Sequence, residues 1–376
     1  MRDLLVTTHT PVLRSGQAMR TYGVARALAA HGGLDLLYVR FGAPAPDAPF
    51  KAIPGVRLHE IVPSRGPGRL LAYGAARLGG VPKGFARGVS RELASETERL
   101  ASEPNRGRVI ADGPIAAAAL ARVARRRPVV YNAHNLESSF RHELDRGAVA
   151  GIGDQRTLRS FERCLLARSC ESWMVSQADI VAARDLCPSA RLRYAPNVVD
   201  VARITPVLPA VDEQRAIFVA NFAYEPNCNG LRFLLDDVLP RVWRQLPDAR
   251  LTLVGAGLEQ PPCADPRVET LGFVEDLHAP YARASCAVVP LLQGGGTPLK
   301  LIEALAYGLP IVATSHATAG LEVRDGEHCL IAEGDEGFAA ALVHILRGGA
   351  PELACNGRRL AEERYSIEAL AELLRP

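Results

Sequence analysis

Short apolar runs alternate with stretches of helical periodicity along this chain, and the alternation begins twice. In the first half "LLVTTH" (4–9) reads as a strand, "SGQAMRTYGVARALAAHG" (15–32) as a glycine turn and helix, and "LDLLYVRF" (34–41) as the next strand. Strand, helix, strand in that order predicts parallel pairing, because adjacent parallel strands need a long crossover that a helix supplies. The rhythm loosens through a Pro- and Gly-rich stretch at 43–83 and returns with "GRVIADG" (107–113), "PIAAAALARVARRR" and "PVVYNAHN" (128–135). Residues 154–172 read as helix, and "DIVAA" and "LRYAPN" as the last strands of the first sheet. Three prolines in "APNVVDVARITPVLP" (195–209) then interrupt the periodicity and mark a linker, with Asn197 and Asp200 shaping its turn. Beyond it the pattern restarts with "AIFVANF", "NGLRFLLDDVLPRVWRQLP", "ARLTLVGAG", "VETLGFV", "CAVVPLL" and "LPIVATS". The expected fold is α/β: two Rossmann-like doubly wound parallel sheets, with ligand in an interdomain cleft outside the carboxyl ends of the strands.

Length agrees with two domains, since 376 residues at 48% hydrophobic exceed one typical core. The opening "MRDLLVTTHTP" has an apolar run that polar residues break early, and no apolar run is long enough to span a bilayer, so a soluble, cytoplasmic protein is expected. The eight cysteines show no C-x-x-C spacing and read as reduced, mostly buried thiols. Charge is uneven: residues 1–200 carry 29 Lys+Arg against 18 Asp+Glu, while 201–376 carry 15 against 23. An anionic ligand or a peripheral contact with the inner face of a membrane suits the first half, and solvated surface arginines explain the same count. Nucleic acid is not an expected partner, because no basic stretch is interleaved with aromatics.

One segment concentrates chemistry. "GGGTPLKLIEALAYG" (294–308) follows a buried strand and places Lys300 near a helix start, where the macrodipole is already positive. Thr297 is an expected N-cap, Pro298 the first helical residue and Gly308 the C-terminal stop. Glycines let the backbone approach a ligand, so the amides of Gly295, Gly296 and Thr297, the helix end and Lys300 together suit a phosphate or diphosphate. Glu303, one turn deeper on the same face, offers a carboxylate suited to a vicinal diol such as a ribose. An i,i+3 ion pair between Lys300 and Glu303 is the competing structural explanation.

"GGGTPLKLIEALAYGLPIVAT" with "AGLEVRDGEHCLIA", and in the same order "YNAHNLES", "PNVVD", "FVANFAYEPNCNGLRFLLDDVLPRV" and "LGFVEDLHAPYARA", resemble the retaining GT-B glycosyltransferases of glycosyltransferase family 4, in the subset with a GxGTxLKxLEA donor motif. The resemblance implies an acceptor-binding domain at 1–195, a linker at 196–209, a nucleotide-sugar-binding domain at 210–357 and a terminal helix, 358–376, that crosses back to the first domain. It implies a nucleoside-diphosphate sugar as donor substrate, no further cofactor and no metal. The acceptor is a polysaccharide, a lipid-linked sugar or a small natural product. By the same resemblance Glu303 holds the ribose hydroxyls and Phe273 and Val274 meet the nucleobase. His134 sits beside the donor sugar as a catalytic residue with Lys300, supported by His9 and Asn135. Gly16 belongs to the first loop, and Arg20 either faces the phosphates or is a surface helix residue. The family's first glutamate falls at Gly295, and its basic pair falls near Asn221 and Asn227, which leaves phosphate charge to Lys300. A non-catalytic sugar-nucleotide-binding protein and a sugar-nucleotide epimerase are the alternatives. A dinucleotide oxidoreductase is disfavoured, because "THTPVLRSGQ" holds a single glycine.

Overall fold

All strands in each of two sheets run parallel, in the computed structural model that describes every residue except 14, 41–44, 64–65, 140–154 and 259. The first sheet comprises β1 (Arg2–Thr7), β2 (Gly33–Val39), β3 (Val56–Ile61), β4 (Arg106–Asp112), β5 (Val129–Asn132), β6 (Glu171–Met174) and β7 (Leu192–Tyr194). Their spatial order is β3-β2-β1-β4-β5-β6-β7. The second sheet comprises β8 (Arg215–Val219), β9 (Arg250–Val254), β10 (Val268–Gly272), β11 (Cys286–Val289), β12 (Ile311–Ala313) and β13 (Leu330–Ile331), in the order β10-β9-β8-β11-β12-β13. Both orders reverse direction once, beside the first strand of the sheet, and that switch point is where an open parallel sheet leaves a crevice.

The sequence forms these strands because they are buried on both faces. Leu4, Leu5 and Val6 are all fully buried, so β1 is a continuous apolar run and not an alternating one. Each buried leucine of this kind contributes about 1.5–3 kcal/mol relative to exposure. The helix after β1 spans Gly16–Ala29 and is capped by Ser15, whose side chain accepts from the Ala18 amide. One core in the first unit joins Leu4, Val109, Tyr131 and Phe161, and the second sheet is covered on both faces by clusters built around Phe218 with Phe338 and around Leu301 with Tyr281.

The described residues form two compact units, Met1–Asn197 with Leu370–Pro376, and Val198–Ala369. The expected linker at 196–209 does not run free. Val199, Val201 and Val207 pack into the second unit's core, the Val207 amide donates to Tyr307 O at 2.9 Å, and Arg358 donates to Ile204 O at 2.9 Å. The terminal segment also differs from one helix at 358–376. Helix Glu352–Arg364 lies in the second unit, and a separate helix, Ile367–Leu373, follows. The residues from Leu370 onward belong to the first unit, where Arg108 donates to Leu374 O at 2.6 Å and Arg193 to Leu373 O at 2.9 Å.

Two readings of local structure change. The stretch 43–83, parts of which lie outside the described residues, contains β3 and a helix at Pro67–Leu78. "DIVAA" lies inside helix Gln177–Leu186, and the strand is the preceding Glu171–Met174. All eight cysteines are unpaired thiols. Among the described residues no helix is long and apolar enough to cross a membrane.

The loops at the carboxyl edge of the second sheet are held together by close backbone approach. Gly255, at φ 137°, donates its amide to Gly272 O at 2.7 Å, and a Cβ there would lie 1.8 Å from Ala220 O. Gly255→Ala should therefore lower stability by roughly 3 kcal/mol through overlap and backbone strain. Gly326→Ala, at φ 70° with open space around it, should cost only about 1 kcal/mol. Urea unfolding of the two variants checks the difference.

Candidate functional site

The chain leaves β11 at Val289 and enters helix Leu299–Tyr307 through the glycine run. Gly294 and Gly296 adopt φ of 124° and 74°, a region that favours glycine. Two side chains from the exit of β12 pin this loop: Thr314 Oγ1 donates to Leu291 O, and His316 Nε2 donates to Gly294 O at 2.8 Å. The amides of Gly295 and Gly296 donate to no group among the described residues. The cap differs from expectation. Pro298, at φ −74° and ψ 111°, occupies the N-cap without a side-chain bond, Thr297 is buried, and Lys300 is the second helical residue. Proline at this place fixes the entry angle of the chain and leaves Thr297 to pack inward. Gly308 closes the helix in the left-handed conformation, φ 72° and ψ 36°.

Lys300 and Glu303 do not form an ion pair. Lys300 Nζ donates instead to Asn227 Oδ1 and lies 5.5 Å from the centre of the Phe218 ring. Among the described residues no carboxylate comes within ion-pair distance of it, and burial alone pushes its pKa down to about 8. The Glu303 carboxyl makes no hydrogen bond among the described residues, and burial pushes it up to about 7. Beneath it the Tyr281 and Tyr307 rings stack at 4.1 Å, and burial followed by the charge of Glu303 raises both phenols. Both groups are only half-buried as residues, so neither is sealed in the core.

Asn227, which stands where a basic residue was expected, links the parts. Its Nδ2 donates to Asn221 O at 2.6 Å, while Asn221 Oδ1 accepts from the Ala223 amide at 3.0 Å. Phe273 and Val274 follow β10 on the same edge of the sheet. Phe273 is 70% exposed, whereas Val274 packs against the cluster of Leu301 and Tyr281.

In the first unit the carboxyl ends of β1, β4 and β5 meet in a polar network. Asp112, the last residue of β4, is its centre: Oδ1 lies 2.8 Å from His134 Nε2 and accepts from Asn132 Nδ2 at 2.7 Å, and Oδ2 accepts from Thr21 Oγ1 at 2.5 Å. Burial raises the Asp112 pKa, but His134, His9 and Thr21 outweigh it and hold the carboxyl well below its usual range. Arg20 is not on the surface. It is 3% exposed and donates to Asn132 Oδ1 at 2.6 Å, Ala195 O at 3.0 Å and Asn197 Oδ1 at 3.2 Å, with burial lowering its pKa to about 10. Its two terminal nitrogens are thus engaged by acceptors of the first unit, which rules out the surface-residue reading. Gly16 is the exposed first residue of its helix. Sequence reasoning missed Asp112, Thr21 and Asn132. The signal was present in "GRVIADG", where a carboxylate ends an apolar strand.

Residues 213–348 match the model of a family described as glycosyl transferases group 1. The chain resembles a solved sucrose-phosphate synthase from Thermosynechococcus elongatus, at 17% identity over 99% of this chain and 96% of that one, with a TM-score of 0.72. It also resembles HepE of Anabaena, solved in complex with UDP-glucose, at 14% identity over 99% and 97%, with a TM-score of 0.67. The fold is GT-B. A phosphatidyl-myo-inositol mannosyltransferase of Mycobacterium leprae is 32% identical over 133 residues, 33% of this chain and 35% of that one. The chain spans less than half the length of the curated relatives it matches.

The two recessed charges make the ligand-free protein pH-sensitive. Glu303 has a folded pKa above its ordinary 4.5, so stability falls as pH rises from 4.5 to about 7. Lys300 has a folded pKa below its ordinary 10.5, so stability recovers as pH rises from about 8 towards 10.5. Their joint contribution is least favourable at about pH 7–8. Glu303→Gln should remove the acid-side decline and stabilise the free protein at pH 8 by roughly 2 kcal/mol after allowance for partial exposure. Thermal unfolding across pH 4 to 10 checks both slopes.

Proposed function

We propose that the chain is a glycosyltransferase that moves a sugar from a nucleoside-diphosphate donor to an acceptor hydroxyl, with retention at the anomeric carbon and without a bound metal. The observation that carries this reading is the desolvated ammonium of Lys300, which meets a neutral amide and no carboxylate among the described residues, on a helix preceded by two glycine amides that donate to no described group. Such a group is unfavourable until an anion arrives, and the anion that develops in sugar transfer is the departing diphosphate. Preorganised amides, the helix end and Lys300 lower the barrier by meeting charge where it grows. Glu303, whose carboxyl makes no hydrogen bond among the described residues, suits the ribose hydroxyls, and exposed Phe273 suits a nucleobase face.

The bond between the anomeric carbon and the diphosphate oxygen breaks, and the acceptor oxygen forms its bond on the same face. The acceptor proton passes to the departing phosphate oxygen. The resemblance to family 4 supports this course, as does a glycine at 295, where a protein nucleophile would otherwise be sought. Polysaccharide, lipid-linked and small natural-product acceptors fit the reading, and the basic first half suits an acceptor at an anionic lipid surface. Neutral Asn221 and Asn227 favour a second reading, a sugar-nucleotide-binding protein that binds UDP-glucose but never releases UDP.

Lys300→Ala should lower turnover about 10²–10³-fold, as loss of one transition-state donor does, without loss of thermal stability. Glu303→Ala should weaken UDP binding about tenfold by calorimetry, the size of one lost charge-assisted contact. Full turnover in the first variant, or unchanged affinity in the second, would remove the basis of the proposal.

A further inference from the structure

The ionised carboxylate of Asp112 orders the hydrogen bonds around it. It can only accept, so Thr21 Oγ1, which also lies 3.0 Å from Gln17 O, gives its proton to the closer Asp112 Oδ2 and accepts from His9 Nε2, 3.1 Å away. His9 then carries its proton on Nε2, and its Nδ1 accepts from Thr7 Oγ1 at 2.9 Å. By the same rule His134 Nε2 carries a proton towards Asp112 Oδ1 whether the ring is neutral or charged. His134 Nδ1 makes no hydrogen bond among the described residues. Asp112 is fully buried and the His134 side chain 8% exposed, so the carboxylate holds the ring from within. Gly113, at φ 86°, seats the ring from below, because a Cβ there would lie 3.2 Å from His134 Cε1.

We propose that Asp112 is a positioning residue, which locks His134 in the Nε2–H form and presents Nδ1 to a hydroxyl of the carbohydrate substrate. The inference rests on the glycosyltransferase reading but concerns a different unit and different atoms. The carboxylate fixes which nitrogen is free, and the buried donors Asn132 and Thr21 keep that carboxylate from turning.

Long-range proton–nitrogen NMR on protein labelled with ¹⁵N-histidine, assigned by subtraction of a His134→Gln sample, reads the tautomer in the free protein. The expected spectrum at pH 8 shows His134 as Nε2–H. An Nδ1–H form, or an averaged mixture, overturns the proposal. In Asp112→Asn the lock should be lost, and kcat should fall about 10²-fold, the scale of a displaced reacting group, with UDP affinity unchanged. A variant that melts earlier but keeps full kcat would make Asp112 merely structural and defeat the assignment. Should Asp112→Asn not fold, the wild-type spectrum decides alone: His134 as Nε2–H supports the assignment, and any other form defeats it. Absence of UDP binding to the wild type would sink the glycosyltransferase reading, whereas normal binding with an unlocked His134 would sink only this one.

Discussion

Parallel strands deliver every carboxyl end of a sheet to one edge, and that geometric constraint organises everything functional in this chain. In the first sheet the edge at the switch point collects Thr7 from β1, Asp112 from β4 and Asn132 from β5. In the second it collects Asn221 after β8 and the glycine run after β11. Neither group is close in sequence, and neither would meet in an antiparallel arrangement, where neighbouring ends alternate between edges.

The two edges solve opposite electrostatic problems. Around Asp112 the carboxylate has its three donors, and Arg20 reaches the same network through Asn132. Such closure gives rigidity and a defined set of proton positions. Around Lys300 and Glu303 the polar groups remain incomplete, each displaced from its ordinary pKa by burial with no opposing partner. A protein that desolvates two ionisable groups without an opposite charge beside either accepts a loss of stability that a bound molecule can reverse. The contrast separates a scaffold for orientation from a receptacle for charge.

Much of this was legible in the sequence because it rests on local rules. Apolar runs bounded by turns marked β1, β2, β4, β5 and β8 to β12, and Gly308 announced a helix end that the structure places in the left-handed region. What failed depended on tertiary context. β3 and helix Pro67–Leu78 were hidden by neighbouring Pro and Gly, while "DIVAA" is apolar enough for a strand and was claimed by the helix that packs it. Thr297 has the chemistry of a cap but is buried, so Pro298 takes the place. Arg20 reads as surface because arginine usually is; only the meeting of Asn132, Ala195 and Asn197 makes an interior site for it. Spacing permitted the Lys300–Glu303 pair, and the competing acceptor, Asn227, lies 73 positions away.

Among 44 basic residues the chain has three lysines, Lys51, Lys83 and Lys300, so the whole second unit carries one primary-amine side chain. Arginine everywhere else leaves that amine chemically distinct, and burial frees its lone pair near pH 8, where it becomes nucleophilic. The second unit therefore contains its own built-in reporter: reagents selective for primary amines have a single address there, and occupancy of the site around it can be followed as the shielding of one atom.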